Sequence, residues 1–194
     1  LPVFWDISPS ADMTFGAGLY SGRGARFEWE GRYRLTQRSG GDLNFYYLND
    51  KVFGEELKRR GVSAQPQRWG VLLSQSQELP WDFMEKFRFE EVSDNFYPSN
   101  VGDVPGGNDA YISSDLIFSH ASSQSSFYLA ARRIRNLMNL DVDPRAFDPS
   151  TVQVFPTANL TTNDRLLFKS PPVLAGITLG LTHFTRPSFT FFDR

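Results

Sequence analysis

The sequence predicts an all-β chain: an antiparallel transmembrane β-barrel, or a segment of a large one, with about ten strands in a single domain spanning residues 1–194. Three observations carry that reading. Apolar and polar residues alternate with period two along most of the chain, the signature of extended backbone with two unlike faces. Many of these runs reach about 9 to 13 residues, where strands in soluble sheets average about 5–6 and a strand tilted across a bilayer needs about 9–11. The connections also alternate short and long, as they do in barrels with tight turns on one side of a membrane and long loops on the other.

The first element is an extended piece at 1–7, "LPVFWDI". Proline has no backbone donor and deletes a ladder hydrogen bond, so Pro2 places this piece at a sheet edge. Pro9 falls where a turn is needed, and a strand at 12–20 follows. The run at 25–35 has the cleanest alternation. One face carries Ala25, Phe27, Trp29, Gly31, Tyr33 and Leu35; the other carries Arg26, Glu28, Glu30, Arg32 and Arg34. Hydrocarbon accepts Phe27, Trp29, Tyr33 and Leu35 but not five charges, so the aromatic face is assigned to lipid and the charged face to a wet lumen. In a narrow barrel filled by side chains each of those charges would need a desolvated partner. A wide barrel, holding water or a polar plug, suits them better.

Further runs follow at 41–49, 67–79, 83–93, 109–120, 125–135, 152–161 and 173–184, with a short extended piece near 165–169. The short connections are "TQRSGG", "PWD", "ASSQS" and "TTND"; the long ones are 50–66, 94–108 and 136–151. The charged stretch 55–60 reads as loop. If 1–7 is a strand and Leu1 is periplasmic, the long loops fall on the periplasmic side; without that strand the parity reverses. Alternation alone also fits a soluble β-sandwich, because a solvated sheet face is polar too. Strand length and loop rhythm favour the barrel.

Composition removes several function classes. The chain has no cysteine, which excludes disulfides, thiolate metal sites and a cysteine nucleophile. Two histidines, His120 and His183, cannot build a histidine-rich metal centre. Twenty basic and 22 acidic residues give a net charge of −2, without the concentrated positive field that nucleic acid requires. "GAGLYSG" has the wrong spacing for a dinucleotide loop and leads into a strand. Asp115, His120 and nearby serines straddle a turn, which argues against a hydrolytic triad. Asp141, Asp143 and Asp148 share a loop that lacks the glycine and distal glutamate of an EF-hand. "NLT" at Asn159 matters only in a eukaryotic secretory setting, and Lys58 to Arg60 reads as a solvated basic loop. No catalytic residue, metal or cofactor is therefore expected. There is no initiator methionine or signal peptide, so Leu1 is expected to belong to a processed or longer protein.

The segments "LPVFWDISPSADMT", "SGRG", "FEWEGRYRL", "YYLNDKVFGEE", "EVSDNFYPSNVGD" and "NDAYISSDLIFSHA" together resemble the barrel domain of the LptD family, the outer-membrane lipopolysaccharide translocon of Gram-negative bacteria. The likeness runs in order from Leu1 to about Arg186. It implies a transport protein, not an enzyme, in the cell outer membrane. Lipopolysaccharide would arrive from a periplasmic bridge protein and leave into membrane lipid through a lateral gate between the first and last strands. An LptE-type lipoprotein would plug the lumen. On this resemblance Pro2 falls on the first of two gate prolines. The second is replaced by Ala17, flanked by Gly16 and Gly18, which soften a strand by another route. The family barrel is larger than this chain, so strands outside it are expected to complete the ring. The alternatives are a porin-like channel and the soluble sandwich.

Overall fold

The computed structural model describes residues 1–63, 65–102, 104, 109–139, 141–170 and 172–186. In chain order the elements are β1 (Pro2–Ser8), β2 (Ala11–Tyr20), β3 (Gly24–Arg34), β4 (Gly40–Asn49), α1 (Lys51–Arg59), β5 (Gln67–Leu79) and β6 (Phe83–Val92), then α2 (Tyr97–Val101), β7 (Tyr111–Ala121), β8 (Ser125–Asn136), β9 (Gln153–Thr162), β10 (Arg165–Lys169), β11 (Pro172–Ala175) and β12 (Thr178–Thr185). Ten of the strands form one antiparallel sheet in the order β1 to β9 and then β12. No described helix is long and apolar enough to cross a membrane. Strands β2 to β9 do have the length for it, from 10 to 13 residues each.

The register carries the alternation of β3 across its neighbours, although the apolar face also holds Gln75 and Glu85, hydrogen-bonded to each other, with Gln75 also bonded to Tyr33. One cross-strand row reads Asp12, Arg32, Asp42, Ser74, Arg88, Asp115 and Arg132. The neighbouring positions on the opposite face read Met13, Gly31, Leu43, Leu73 and Phe89. Phe15 and Trp29 stack there with ring centroids 6.4 Å apart, and Phe27 lies against Tyr47 at 6.3 Å. A sandwich would bury this apolar face under a second sheet. Here Phe15, Phe27 and Trp69 are exposed, and the buried cluster of Leu48, Val92, Tyr97, Val104, Ile112 and Leu137 lies elsewhere. Leu48 and Val92 belong to the charged face, one strand away from Arg26 and Gly70 respectively.

Three expectations are corrected. Residues 51–59 form a helix, not a loop: Asp50 caps it by accepting from the backbone N–H of Val52 (3.1 Å) and Phe53 (3.3 Å), and Phe53 and Leu57 are buried one turn apart. Lys58 and Arg60 are not loose loop cations; they pair with Glu55 and Glu56 on the helix surface. The run 173–184 is broken at Gly176 and Ile177. Its first part joins β10 in a separate hairpin and only β12 reaches the main sheet. The connection from β9 to β12 is thus 163–177, carrying that hairpin, and not a tight "TTND" turn.

Because 1–7 is a strand, Leu1 shares an end of the sheet with the C-terminal ends of β4, β6 and β8, from which the long connections leave, while turns 9–10, 35–39, 80–82 and 122–124 lie at the other. Pro156 sits within β9, between β8 and β12, where a missing donor is costly. The ladders slip on both sides of it, between Ala130 and Arg132 and between Thr182 and Phe184. The Gln153 amide stands in, accepting from Ile134 N–H at 2.7 Å and donating to Ile134 C=O at 2.9 Å.

Candidate functional site: an edge seam and a charged sheet face

Pro2, Gly16, Ala17 and Gly18, expected from the resemblance to belong to a gate, lie together in the structure. Pro2 on β1 pairs with Gly16 on β2, and the amino group of Leu1 donates to Ala17 C=O at 3.0 Å. Leu1, Pro2, Gly16, Ala17, Gly18, Arg26 and Glu28 line a cavity of about 330 Å³. The two glycines keep it open. A Cβ at Gly18 would meet nothing within 4 Å, and one at Gly16 only the Glu28 side chain. Every residue of β1 but Ser8 is exposed, and β1 has no second strand partner among the described residues.

The direction of the missing donor follows from the ladder. In an antiparallel pair, residues that exchange hydrogen bonds alternate with residues whose N–H and C=O point away. Leu1 bonds Ala17, so Pro2, opposite Gly16, belongs to the outward-pointing set. The hydrogen bond that Pro2 cannot make is therefore one to a strand beyond β1, not to β2.

The charged residues of β3 meet partners on β2 and along β3 itself. Arg32 pairs with Asp12 at 2.9 Å and approaches Glu30 at 3.9 Å. Arg26 pairs with Glu28 at 2.5 Å, and its guanidinium lies 5.3 Å from the centre of the Tyr20 ring. Arg26 differs from the others in its surroundings: it is 6% exposed, packed in protein and not open to solvent. Glu28, Glu30, Arg32 and Arg34 are partly or largely exposed on that same face, while Phe27, Trp29 and Tyr33 alternate onto the other; Leu35 lies one residue past β3, exposed in the turn that follows.

Sequence reasoning missed the buried cluster that closes the long-loop end. Arg68, fully buried, donates to Asp94 through Nε (3.0 Å) and Nη2 (2.7 Å) and to Asp50 through Nη1 (3.0 Å). Arg23 adds a second cation to Asp50 at 3.0 Å. The Arg68 guanidinium lies 4.2 Å from the Phe53 ring centre and 5.0 Å from that of Tyr97. Tyr97 in turn sits over Gly70, where a Cβ would stand 3.4 Å from its ring. Burial, before any charge, pushes the Tyr97 phenol up to about 12. A signal existed in Asp50 ahead of Phe53 and Leu57, which is a cap followed by a helical face. Nothing in the sequence linked it to Arg68 and Asp94.

The discounted motifs find structural roles. Asp115 and His120 are five residues apart on β7 and so on opposite faces. Asp115 accepts from Arg132 and Ser113, and His120 packs on Phe83 with ring centroids 4.8 Å apart. His183 Nδ1 lies 2.7 Å from Phe155 C=O. Asp143 is held by Arg145. Asp148 accepts from Ser150, Asn136 and Thr151, contacts that bring its carboxyl down to about 2.

A long antiparallel meander, mainly apolar on one face and charged on the other, with its aromatic face left uncovered among the described residues, has the fold class of outer-membrane β-barrel strands. Sequence comparison adds a likeness to one family. The chain is 34% identical over 106 residues to the LPS-assembly protein LptD of Legionella pneumophila (strain Paris), covering 50% of this chain and 12% of that protein. It is 31% identical over 103 residues to LPS-assembly protein LptD of Ralstonia nicotianae, covering 53% and 11%. It is 30% identical over 114 residues to that of Shewanella sp. (strain ANA-3), covering 58% and 14%. No family model matches the chain. These likenesses support membership of the LptD family, and the matched part of the chain spans about an eighth of the length of these relatives.

Proposed function

We propose that this chain forms part of the barrel that inserts lipopolysaccharide into the outer leaflet of a Gram-negative outer membrane, acting as one barrel segment without covalent chemistry. The apolar face of β3, with Phe27, Trp29 and Tyr33, and Leu35 just past its end, meets lipid. The charged face, with Arg26, Glu28, Glu30, Arg32 and Arg34, lines the lumen. Further strands close the ring, a plug lipoprotein of the LptE type fills it, and a periplasmic bridge protein delivers the lipid.

The observation that carries the reading is the outward direction of Pro2 at the edge of β1. A gate strand must part from its neighbour and pair again. In lipid, each orphaned backbone group costs several kcal/mol, so an ordinary edge resists parting. A proline facing that edge removes one bond from the closed seam and leaves no orphaned donor in the open one. Gly16 and Gly18 then let β2 yield behind it, since glycine inside a strand weakens it.

In cells, a photoreactive amino acid at Phe4, on exposed β1, should capture lipopolysaccharide. One at Val71, at the centre of the apolar face, should capture much less. Equal capture at the two positions, or capture at neither, refutes the seam as the exit. Unchanged permeability to small solutes in cells whose β1 edge has been locked separates a translocon from a porin.

A further inference from the structure

We propose that the charged face holds a binding site for a phosphorylated saccharide head group, built by Arg34, Lys86, Arg88 and Arg132. This rests on the charged face being the lumen of a glycolipid translocon, and it assigns that lumen a place where the cargo's anionic group is held. The four cations line a cavity of about 380 Å³ whose floor is Gly40, Ser74 and Ser76. The register explains the shape. Arg34, Gly40, Ser76 and Lys86 form one cross-strand row, and Asp42, Ser74, Arg88, Asp115 and Arg132 form the next. Arg34 and Lys86 are three strands apart, about 14 Å between backbones at the usual strand spacing. Their long side chains thus rise on either side of two strands that carry almost no side chain.

The floor is small for a physical reason. A Cβ on Gly40 would stand 2.7 Å from Tyr33 C=O, 3.0 Å from Arg34 Cδ and 3.2 Å from its Nε. Arg34 therefore lies across Gly40 towards the cavity, and any larger residue at 40 would displace it. The local charges are unequally compensated. Arg132 pairs with Asp115 and Arg88 with Glu90 at 2.8 Å. Arg34 and Lys86 make no ion pair among the described residues. Asp42, the remaining carboxylate of the lining, stands opposite Arg32 in the register. Two cations without counter-ions, one of them a planar fork suited to phosphate oxygens, flank hydroxyls that can meet sugar. A phosphate on a saccharide satisfies both chemistries; lipid tails satisfy neither.

The test uses the full-length protein in detergent and equilibrium dialysis with three probes: inorganic pyrophosphate, a deacylated phosphorylated glucosamine disaccharide, and the same disaccharide after dephosphorylation. The phosphorylated sugar is expected to bind at least tenfold more tightly than the dephosphorylated one. The Arg34→Gln/Lys86→Gln double variant should lose about tenfold, with heat-modifiable gel migration unchanged as the control for folding. Binding of pyrophosphate without preference for the phosphorylated sugar reduces the basin to a general anion site and overturns the proposal; so does unaltered affinity in the double variant. In cells, a photoreactive residue at Ser76 should capture lipopolysaccharide. Capture at Phe4 but not at Ser76 removes this site and leaves the translocon reading standing, whereas capture at neither removes both.

Discussion

The second half of strand β2, from Gly16 to Tyr20, borders opposite kinds of structure on its two sides. Past Tyr20 the chain enters the long-loop end, where Arg23, Asp50, Arg68 and Asp94 interlock and Tyr97 seals the space over Gly70. Beside Gly16 to Gly18 lies β1, exposed along most of its length, partnered on one side and carrying a proline on the other. At the first site each buried charge has several partners, and Asp50 caps a helix while it neutralises two arginines. At the second, contacts are few and a backbone donor is missing. The difference fits the proposed function: a translocon would need one edge that opens, and an edge can open cleanly only if the strands behind it stay fixed.

The largest expected effect comes from breaking the fixed end. Arg68→Ala leaves Asp50 and Asp94 buried without their main countercharge, and removal of one partner from a buried pair costs about 3–5 kcal/mol. Limited proteolysis should then cut within 50–66 and near 94–102, and the denaturant midpoint of the full-length protein should fall. Wild-type protease resistance in this variant would show that the cluster does not hold the end together. A smaller effect of opposite sign is expected at the seam. Pro2→Val restores one outward donor, worth about 0.5–1.5 kcal/mol as a net hydrogen bond. It should slow lipopolysaccharide delivery while leaving the stability of the long-loop end unchanged. Delivery at the wild-type rate would mean that the seam's weakness does not reside in Pro2.

The smallest effect concerns pH and sharpens the contrast within the fixed end itself. The Asp148 carboxylate, outside the strands, is held down to about 2 by hydrogen bonds from Ser150, Asn136 and Thr151. Its folded value lies below the unfolded one of about 3.9. Its contribution is therefore complete above that value and disappears as the pH falls through about 2. Hydrogen exchange of 148–151 should rise across this window in the wild type and show no such step in Asp148→Asn. The buried Arg68 cluster should be unaffected by that substitution.

Most strands of this fold were legible in the residues. Phe27, Trp29 and Tyr33 against Arg26, Glu28 and Arg32 define extended backbone whatever surrounds it, because period-two polarity is a local property. The tight connection at 80–82 was legible for the same reason. Helix α1 was missed although Asp50, Phe53 and Leu57 carried a cap and a helical face, because a short segment dense in charge also reads as loop. The break at Gly176 was hidden inside an unbroken apolar run. Of the site, Pro2 and its glycine neighbours were legible as residues unsuited to a strong strand. Their convergence on one cavity was not.

The sequence by itself determined that the chain is β-structured, two-faced and long-stranded, because those features are written into successive residues and need no distant partner. Only the tertiary structure decided that Pro2 directs its missing donor away from β2, that Arg34 and Lys86 face each other across a floor of glycine and serine, and that Arg68 neutralises two aspartates from separate loops. Each of these depends on register and on contacts between residues far apart in the chain, and a one-residue slip in pairing would reverse the faces on which all three rest.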